Sequence, residues 1–452
     1  MIDFSEVEKP NFWYDAIYTY TRLVYKYIYW RRFQVEGREN IPQDNGAIVI
    51  CNHQNGLMDA LAVLYSTHDR KPVFLARADI FKKDAIAKLL RFIRIMPAYR
   101  MRDTGVEGLG NNQAIFDHSA RIVNNGGFVA LFPEAGHRGG HFLGQFKKGF
   151  ARMAFRAAET DGFSKDITIL PVGHHYSHYF SMQGDLLVSF GKPFGISELY
   201  EDYKEHPERA LHTLAEKARG EVQQLMLDIA DTENYEEINL LCNMYVPRYK
   251  EARGLSARSL SDSLAAQQDV NRKVAGLKES SPESFASLME KAATYRSNLD
   301  NLKLRDWIMA RTHALGFVTR TLLWAVLLPL FVVSSVLNIV PYLISYSFGR
   351  KTDDPMLKTS FVFAVGTLVV FPIWYLMMFA LCWIFTKTFW MALLLLALLP
   401  ATLVVFQRVL RLDIKLVNRV RKMWFKLTRN KKYRDTARLR RDIISSLDAL
   451  FA

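Results

Sequence analysis

The chain has 452 residues, half of them hydrophobic, which is more than one core accommodates and calls for two or three folded units. A formal charge of +14 with 13% aromatic residues, beside long uncharged C-terminal runs, points to an anionic membrane surface; no zinc-finger or RNP-type pattern supports nucleic acid as a partner. Cys51, Cys242 and Cys382 form no CxxC pair, so neither a disulfide framework nor a zinc ribbon is expected.

The N-terminal stretch MIDFSEVEKPNFWYD lacks the basic, apolar and small-residue succession of a signal peptide, and the soluble part is expected in the cytoplasm. Residues 11–33, NFWYDAIYTYTRLVYKYIYWRRF, are crowded with aromatic rings and carry most of their cations at the C-terminal end. This pattern predicts an interfacial amphipathic helix over 1–34, with Arg31 and Arg32 meeting lipid phosphates; the alternative is a helix that packs on a core.

From residue 35 to 200, short apolar runs alternate with amphipathic stretches. The runs GAIVIC, PVFLAR, GGFVALF, ITILPVG and DLLVSFG read as strands, and DAIAKLLRFI, NNQAIFDHSARIV and KKGFARMAFRAAE as helices. That alternation predicts an α/β domain with a mostly parallel sheet flanked by helices, its functional groups gathered in loops at strand ends. Residues 201–312 are charged and lack a strand signal, which predicts a helical arm. Within it GLSARSLSDSLAAQQ reads as a polar connection, and Ser281 with Pro282 as a helix start.

Residues 313–408 are expected to form C-terminal transmembrane helices: Thr321 to Phe348, Thr359 to Thr386 and Thr388 to Gln407 contain no charge and each can span about 30 Å of hydrocarbon. The basic tail, 409–452, belongs on the cytoplasmic side by the positive-inside rule, as does the soluble domain. Both conditions require an even number of crossings. The first run, around Pro341, is then expected to lie in the interface, to re-enter, or to split into two helices, while the other two form a hairpin around Lys387.

Chemistry concentrates in two stretches. AIVICNHQNGLMDA places His53 and Asp59 just beyond a strand, where the carboxylate can accept one imidazole N–H and leave the other nitrogen to take a proton. No GxSxG nucleophile accompanies them, so a substrate hydroxyl deprotonated by His53 is the simplest attacking group. LFPEAGHR, after another strand, presents a carboxylate and a cation in a tight turn suited to an oxygen-rich substrate. The histidines of GHHYSHYF, His174, His175 and His178, with His137 and His141, raise a zinc site as a rival. Ligands four apart align only on a helix, however, and ILPVGHHY reads as a strand, so no metal is expected.

With NHQNGLMD, FPEAGHR and ILPVGHHY in this order, and VSFGKPF closing the domain, residues 35–200 resemble the glycerolipid acyltransferase superfamily, the glycerol-3-phosphate and lysophosphatidate acyltransferases. The membrane spans add a likeness to the yeast-type dual-substrate branch and its bacterial relatives. The resemblance implies His53 as general base, Asp59 as its orienting partner, and Arg100, with Arg102 as alternative, on the acceptor phosphate. It implies Glu134 holding acceptor hydroxyls or ordering its loop. For the oxyanion that thioester chemistry forms, backbone N–H groups near Asn52 or Gly136 are the candidates. Arg138 with Lys147 or Lys148 would add phosphate contacts, and Pro171 would shape the acyl-donor side.

No cofactor is implied; acyl-CoA or acyl carrier protein is the expected donor substrate, membrane lipids and a phosphorylated glycerol acceptor the expected partners, and the bacterial inner membrane the expected location. Alternatives at this stage are a lyso-aminolipid acceptor and a non-catalytic lipid-binding scaffold. Two departures stand out. Five residues, not the usual four, separate His53 from Asp59, and FPEAGHR replaces the usual FPEG. Gly56 is the residue that can absorb the extra length.

Overall fold

A computed structural model of the protein describes residues 7–67, 69–99, 111–134, 139–180, 182–310, 315–350 and 354–452. Two compact units result: Met1–Asp228 with Thr352–Ser360, and Ile229–Lys351 with Phe361–Ala452.

The first unit opens on α1 (Phe12–Leu23), continued by a π-helical stretch to Tyr29. Its inner face buries Tyr14, Tyr18, Tyr25, Tyr29 and Trp30, while Phe12 and Trp13 remain 76% and 69% exposed. The helix therefore has both characters the sequence allowed, a packed face and an open aromatic one. It also ends earlier than residue 33. At Trp30 the backbone becomes extended and enters β1 (Arg32–Glu36). Arg31 and Arg32 both bind Asp185, the first residue of β7, so these cations are spent on an internal ion pair rather than on lipid phosphate.

An eight-stranded sheet follows: β1, β2 (Ala47–Cys51), β3 (Val73–Arg77), β4 (Ile95–Ala98), β5 (Phe128–Leu131), β6 (Thr168–Tyr176), β7 (Asp185–Phe190) and β8 (Phe194–Gly195). Its order is β1-β7-β6-β2-β5-β3-β4, with β8 beside β6. All pairings are parallel except those of β6 with β7 and with β8. The mostly parallel α/β sheet is thus as the sequence pattern demanded. All five expected strands form, and β1, β4 and β8 join them.

Every residue of β2 is buried, as a central parallel strand covered on both faces requires. The covering helices include α2 (Leu57–Ser66), α3 (Asp84–Phe92), α4 (Asn111–Asn124) and α5 (Gly149–Thr160). α5 drives Phe150, Met153, Ala154, Phe155 and Ala157 into the core at helical spacing. From β2 the chain crosses beyond β5 to β3; from β5 it crosses back over β2 to β6. Strand order therefore reverses around the carboxyl end of β2, where open α/β sheets form their ligand crevice.

The second unit is helical. Helices Tyr235–Ala252, Leu260–Ser280 and Pro282–Leu302 form the arm. Half of the expected polar connection is helix, because Ser259 caps it by accepting the Asp262 N–H at 3.0 Å and Leu260, Leu264, Val270 and Val274 fall on one buried face. Ser281 does start the next helix with Pro282 at its first turn, but its hydroxyl binds Ser284 Oγ at 2.8 Å instead of a backbone N–H.

Among the described residues, three helices are long and apolar enough to cross a membrane: Gly316–Arg350, Leu357–Thr386 and Phe389–Leu427. The first is one unbroken helix through Pro329 and Pro341, which removes splitting in two from the three arrangements expected for it. Its buried Asn338 donates to Thr402 Oγ1 at 2.8 Å and accepts from Tyr375 OH at 3.1 Å, the polar fastening expected between helices in lipid. Lys387 adopts a left-handed conformation between the second and third helices, the tight link the sequence predicted there. Beyond the apolar segment, helix Lys431–Phe451 returns to the arm: Arg440 binds Asp306 at 2.8 Å, and Asp448 accepts from Arg248 at 2.7 Å and Tyr245 at 2.9 Å.

Candidate active site

β2 and β5 are parallel neighbours with Ile50 opposite Leu131, and the same offset carried three residues past that pair sets His53 opposite Glu134. The two motifs of the sequence meet there. Glu134 Oε1 accepts the His53 backbone N–H at 2.7 Å, and Oε2 accepts the Gly144 N–H at 2.8 Å. Phe132 lies under the imidazole, with ring centroids 4.2 Å apart and planes within 19°. Backbone and ring of His53 are therefore fixed by the block that follows β5.

Asp59 sits in the first turn of α2, fully buried. Its Oδ2 accepts from His53 Nδ1 at 2.9 Å and from the backbone N–H groups of Gln54 at 2.8 Å and Asn55 at 2.7 Å, while Oδ1 accepts from Tyr176 OH at 2.5 Å. Burial pushes this carboxyl up, but the hydrogen bond from His53, the nearby His174 and His53 rings and the Tyr176 hydroxyl outweigh it and hold it below the usual carboxylate range. Asp59 is thus an anion that fixes the Nδ1–H tautomer and turns Nε2 to the opposite side of the ring.

The extra residue between His53 and Asp59 is absorbed at Gly56. Its φ of 53° and ψ of −127° lie in a region open essentially to glycine, and the turn closes with Met58 N–H on Asn55 O and Asp59 N–H on Gly56 O. The turn takes up the added length before α2 begins, and the carboxylate still reaches the imidazole.

Other sequence-expected residues fall as follows. Pro171 lies buried inside β6, where the strand leaves β8 and takes up β7; its carbonyl accepts the Gly191 N–H at 2.9 Å. The change of partner is a place where a strand tolerates a residue that has no N–H to donate. Lys147 is exposed. Lys148 is bound to Glu208 at 2.8 Å, together with Arg152, so it serves a surface ion pair. Arg100, Arg102, Gly136 and Arg138 lie outside the described residues. β4 delivers the chain to Tyr99, whose backbone is clamped on both sides by the Asn112 amide at 2.8 and 3.0 Å.

Three histidines of the histidine-rich stretches have partners around β6. Asn52 reaches across to β6 and pairs with both the N–H and the carbonyl of His174, at 2.7 and 3.0 Å. His141 stacks on His175 at 5.1 Å and meets the Tyr179 hydroxyl at 2.8 Å, which in turn donates to Gln54 at 2.9 Å. Burial, with His175 alongside, holds His141 well below the usual imidazole range. Among the described residues no group of three His, Cys, Asp or Glu side chains is placed to hold a metal ion.

Residues 32–175 match the family model described as Acyltransferase. This segment of the first unit is similar to acyltransferases. The match contains the dyad, Glu134, Pro171 and Asn52, and its strands β1 to β6 make up most of the sheet. Three uncharacterised proteins, one from Mycobacterium bovis and two from strains of Mycobacterium tuberculosis, are each 30% identical to this chain over 116 residues, covering 24% of this chain and 28% of theirs. The chain thus matches well under a third of the length of these relatives.

The crystal structure of the 1-acyl-sn-glycerophosphate acyltransferase PlsC from Thermotoga maritima aligns at 18% identity with a TM-score of 0.32, over 46% of this chain and 79% of that one. So distant a likeness bears on neither acceptor nor donor.

Tyr176, Phe132 and Gly144 were not singled out from the sequence, and Asn52 only for its backbone N–H. Only the period of two in β6, which sets Tyr176 on the face of His174, held a clue to the first of them.

Proposed function

We propose that this protein is a membrane-bound O-acyltransferase of phospholipid biosynthesis. It moves a fatty acyl group from an acyl thioester, of coenzyme A or acyl carrier protein, to a hydroxyl of glycerol 3-phosphate or of a lysophospholipid. The carrying observation is the His53–Asp59 pair, held on a buried carboxylate within an acyltransferase domain.

In this reading His53 Nε2 takes the acceptor's hydroxyl proton as its oxygen attacks the thioester carbonyl. The C–O bond forms, the C–S bond breaks, and the imidazolium returns the proton to the departing thiolate. Asp59 stabilises that imidazolium. Because a thioester is already activated, alignment and proton removal account for most of the work. Glu134, with an N–H on each oxygen, acts by ordering the loops on either side of the dyad. The acceptor phosphate falls to Arg100, Arg102 and Arg138, with Lys147 adding charge; guanidinium forks suit phosphate oxygens better than a zwitterionic headgroup.

Purified protein in lipid, given labelled acyl thioester and a panel of acceptors, tests the assignment. Transfer to glycerol 3-phosphate or lysophosphatidate is expected to exceed transfer to a lyso-aminolipid by at least about tenfold, the discrimination available from one well-paired phosphate. Equal or greater use of the lyso-aminolipid would overturn the acceptor class.

The acyltransferase domain and the basic tail are proposed to share the cytoplasmic face of a bacterial inner membrane, with the exposed aromatic side of α1 in the interface. Support comes from the second unit, where residues before and after the apolar segment meet: Arg440 on Asp306, and Lys422 Nζ on Ile308 O at 2.6 Å. Chain ends that touch lie on one side of a bilayer, so the crossings sum to an even number. Cysteines introduced into 431–451 are expected to resist a membrane-impermeant maleimide in intact spheroplasts and to react after lysis; labelling in intact cells contradicts this topology.

A further inference from the structure

We infer that Tyr176 is the third member of the proton-handling assembly, a positioning residue that acts on His53 through Asp59. The inference rests on the general-base reading of His53 and adds to it a residue far away in sequence.

Three of the four donors to Asp59 come from the residues just before it, His53, Gln54 and Asn55, and all three converge on Oδ2. They would travel with the turn if it moved. Tyr176 comes from β6, 117 residues on, and donates to Oδ1 at 2.5 Å. It is the contact that ties the carboxylate to the sheet. Its ring is wedged between Trp30 and Tyr179, with centroids 5.5 Å from each, and is essentially buried, so the hydroxyl has little freedom to point elsewhere.

Burial and the neighbouring Asp59 anion hold the phenol well above its usual range, so it donates at every working pH. A donor on Oδ1 draws negative charge away from the oxygen that faces His53 and thereby sets how strongly the imidazolium is stabilised.

The other titratable groups facing Asp59 or His53 are His174 on β6, Cys51 on β2, Tyr25 beside α1, and Glu134. Burial favours neutral His174 and keeps Cys51 and Tyr25 protonated. Glu134 is raised by burial against two opposing backbone N–H bonds and the His53 ring, and it is a further carboxylate that acts on the pair. It is unchanged in the variants below.

The test is Tyr176→Phe in the full-length protein in lipid, with 3,5-difluorotyrosine at the same position as a second variant and His53→Ala in parallel. Phenylalanine keeps the ring and removes one donor to a charged acceptor. The turnover number is expected to fall about 10- to 100-fold at unchanged KM. The acid limb of the pH–rate profile is expected to move up by about half a unit or more, because a less neutralised Asp59 strengthens its hold on the imidazolium. Difluorotyrosine, a stronger donor, should move the limb the other way.

A merely structural tyrosine would lower the melting temperature and leave the limb in place in both variants, which overturns the inference. Should Tyr176→Phe fail to fold, the fluorinated variant decides alone. If His53→Ala is inactive while both Tyr176 variants keep wild-type turnover and pH profile, Tyr176 loses its role and the base reading stands. If His53→Ala is active, the base reading itself falls.

Discussion

His53→Ala is expected to lower the turnover number about 10³-fold or more, at the upper part of the range for loss of a general base, with little change in KM for the acceptor. The imidazole stacks on Phe132 and bonds Asp59, but its backbone N–H, not its ring, engages Glu134, so the loop should survive the truncation. Melting temperature and circular dichroism are expected near wild type. Steady-state kinetics with labelled thioester give the answer. Retention of more than about a tenth of the activity would remove His53 from the chemistry, because effects of that size are within reach of altered packing alone.

Asp59→Asn is expected to cost nearly as much in turnover, about 10²- to 10⁴-fold, since an amide can no longer stabilise the imidazolium and can present the wrong partner to Nδ1. Because the two residues act as one unit, the double variant should be little worse than His53→Ala alone; multiplied losses would show that they work separately.

The same substitution has a stability signature. The folded Asp59 carboxyl lies below its ordinary value of 3.8, so the stability its charge contributes is present above that value and is lost as pH falls through the folded one. Asparagine sets an N–H donor among groups that are themselves donors, which costs about 1–3 kcal/mol at neutral pH. The gap in melting temperature between wild type and variant should therefore narrow below pH 4. A constant gap down to pH 2 would mean that Asp59 is not ionised in the folded protein.

Much of the first unit was legible because each buried parallel strand is a short apolar run between turn signals, as AIVIC and TILPVG are. RFQVE and IMPA escaped for physical reasons. The first is a half-buried edge strand rich in polar residues, the second is four residues long and contains Pro97. Arg31 and Arg32 looked like lipid contacts only while Asp185 was unseen; parallel pairing of β1 with β7 sets Arg32 opposite that carboxylate. The apolar helices were plain from their lack of charge, whereas the continuity of Leu315–Arg350 through two prolines was not, because a proline's cost in a helix depends on what packs around it.

The sequence by itself determined the chemistry that is available: an imidazole and a carboxylate close along the chain, a second carboxylate after another strand, and a glycine where the spacing is one residue too long. Local composition suffices for that much. Only the tertiary structure decided that these groups meet. Parallel pairing of β2 with β5 brings Glu134 to the His53 backbone, the positive φ of Gly56 folds the extra residue away, and β6 supplies Tyr176 to the remaining oxygen of Asp59. A carboxylate's donors are counted in space, and here one of them comes from a strand 117 residues further along the chain.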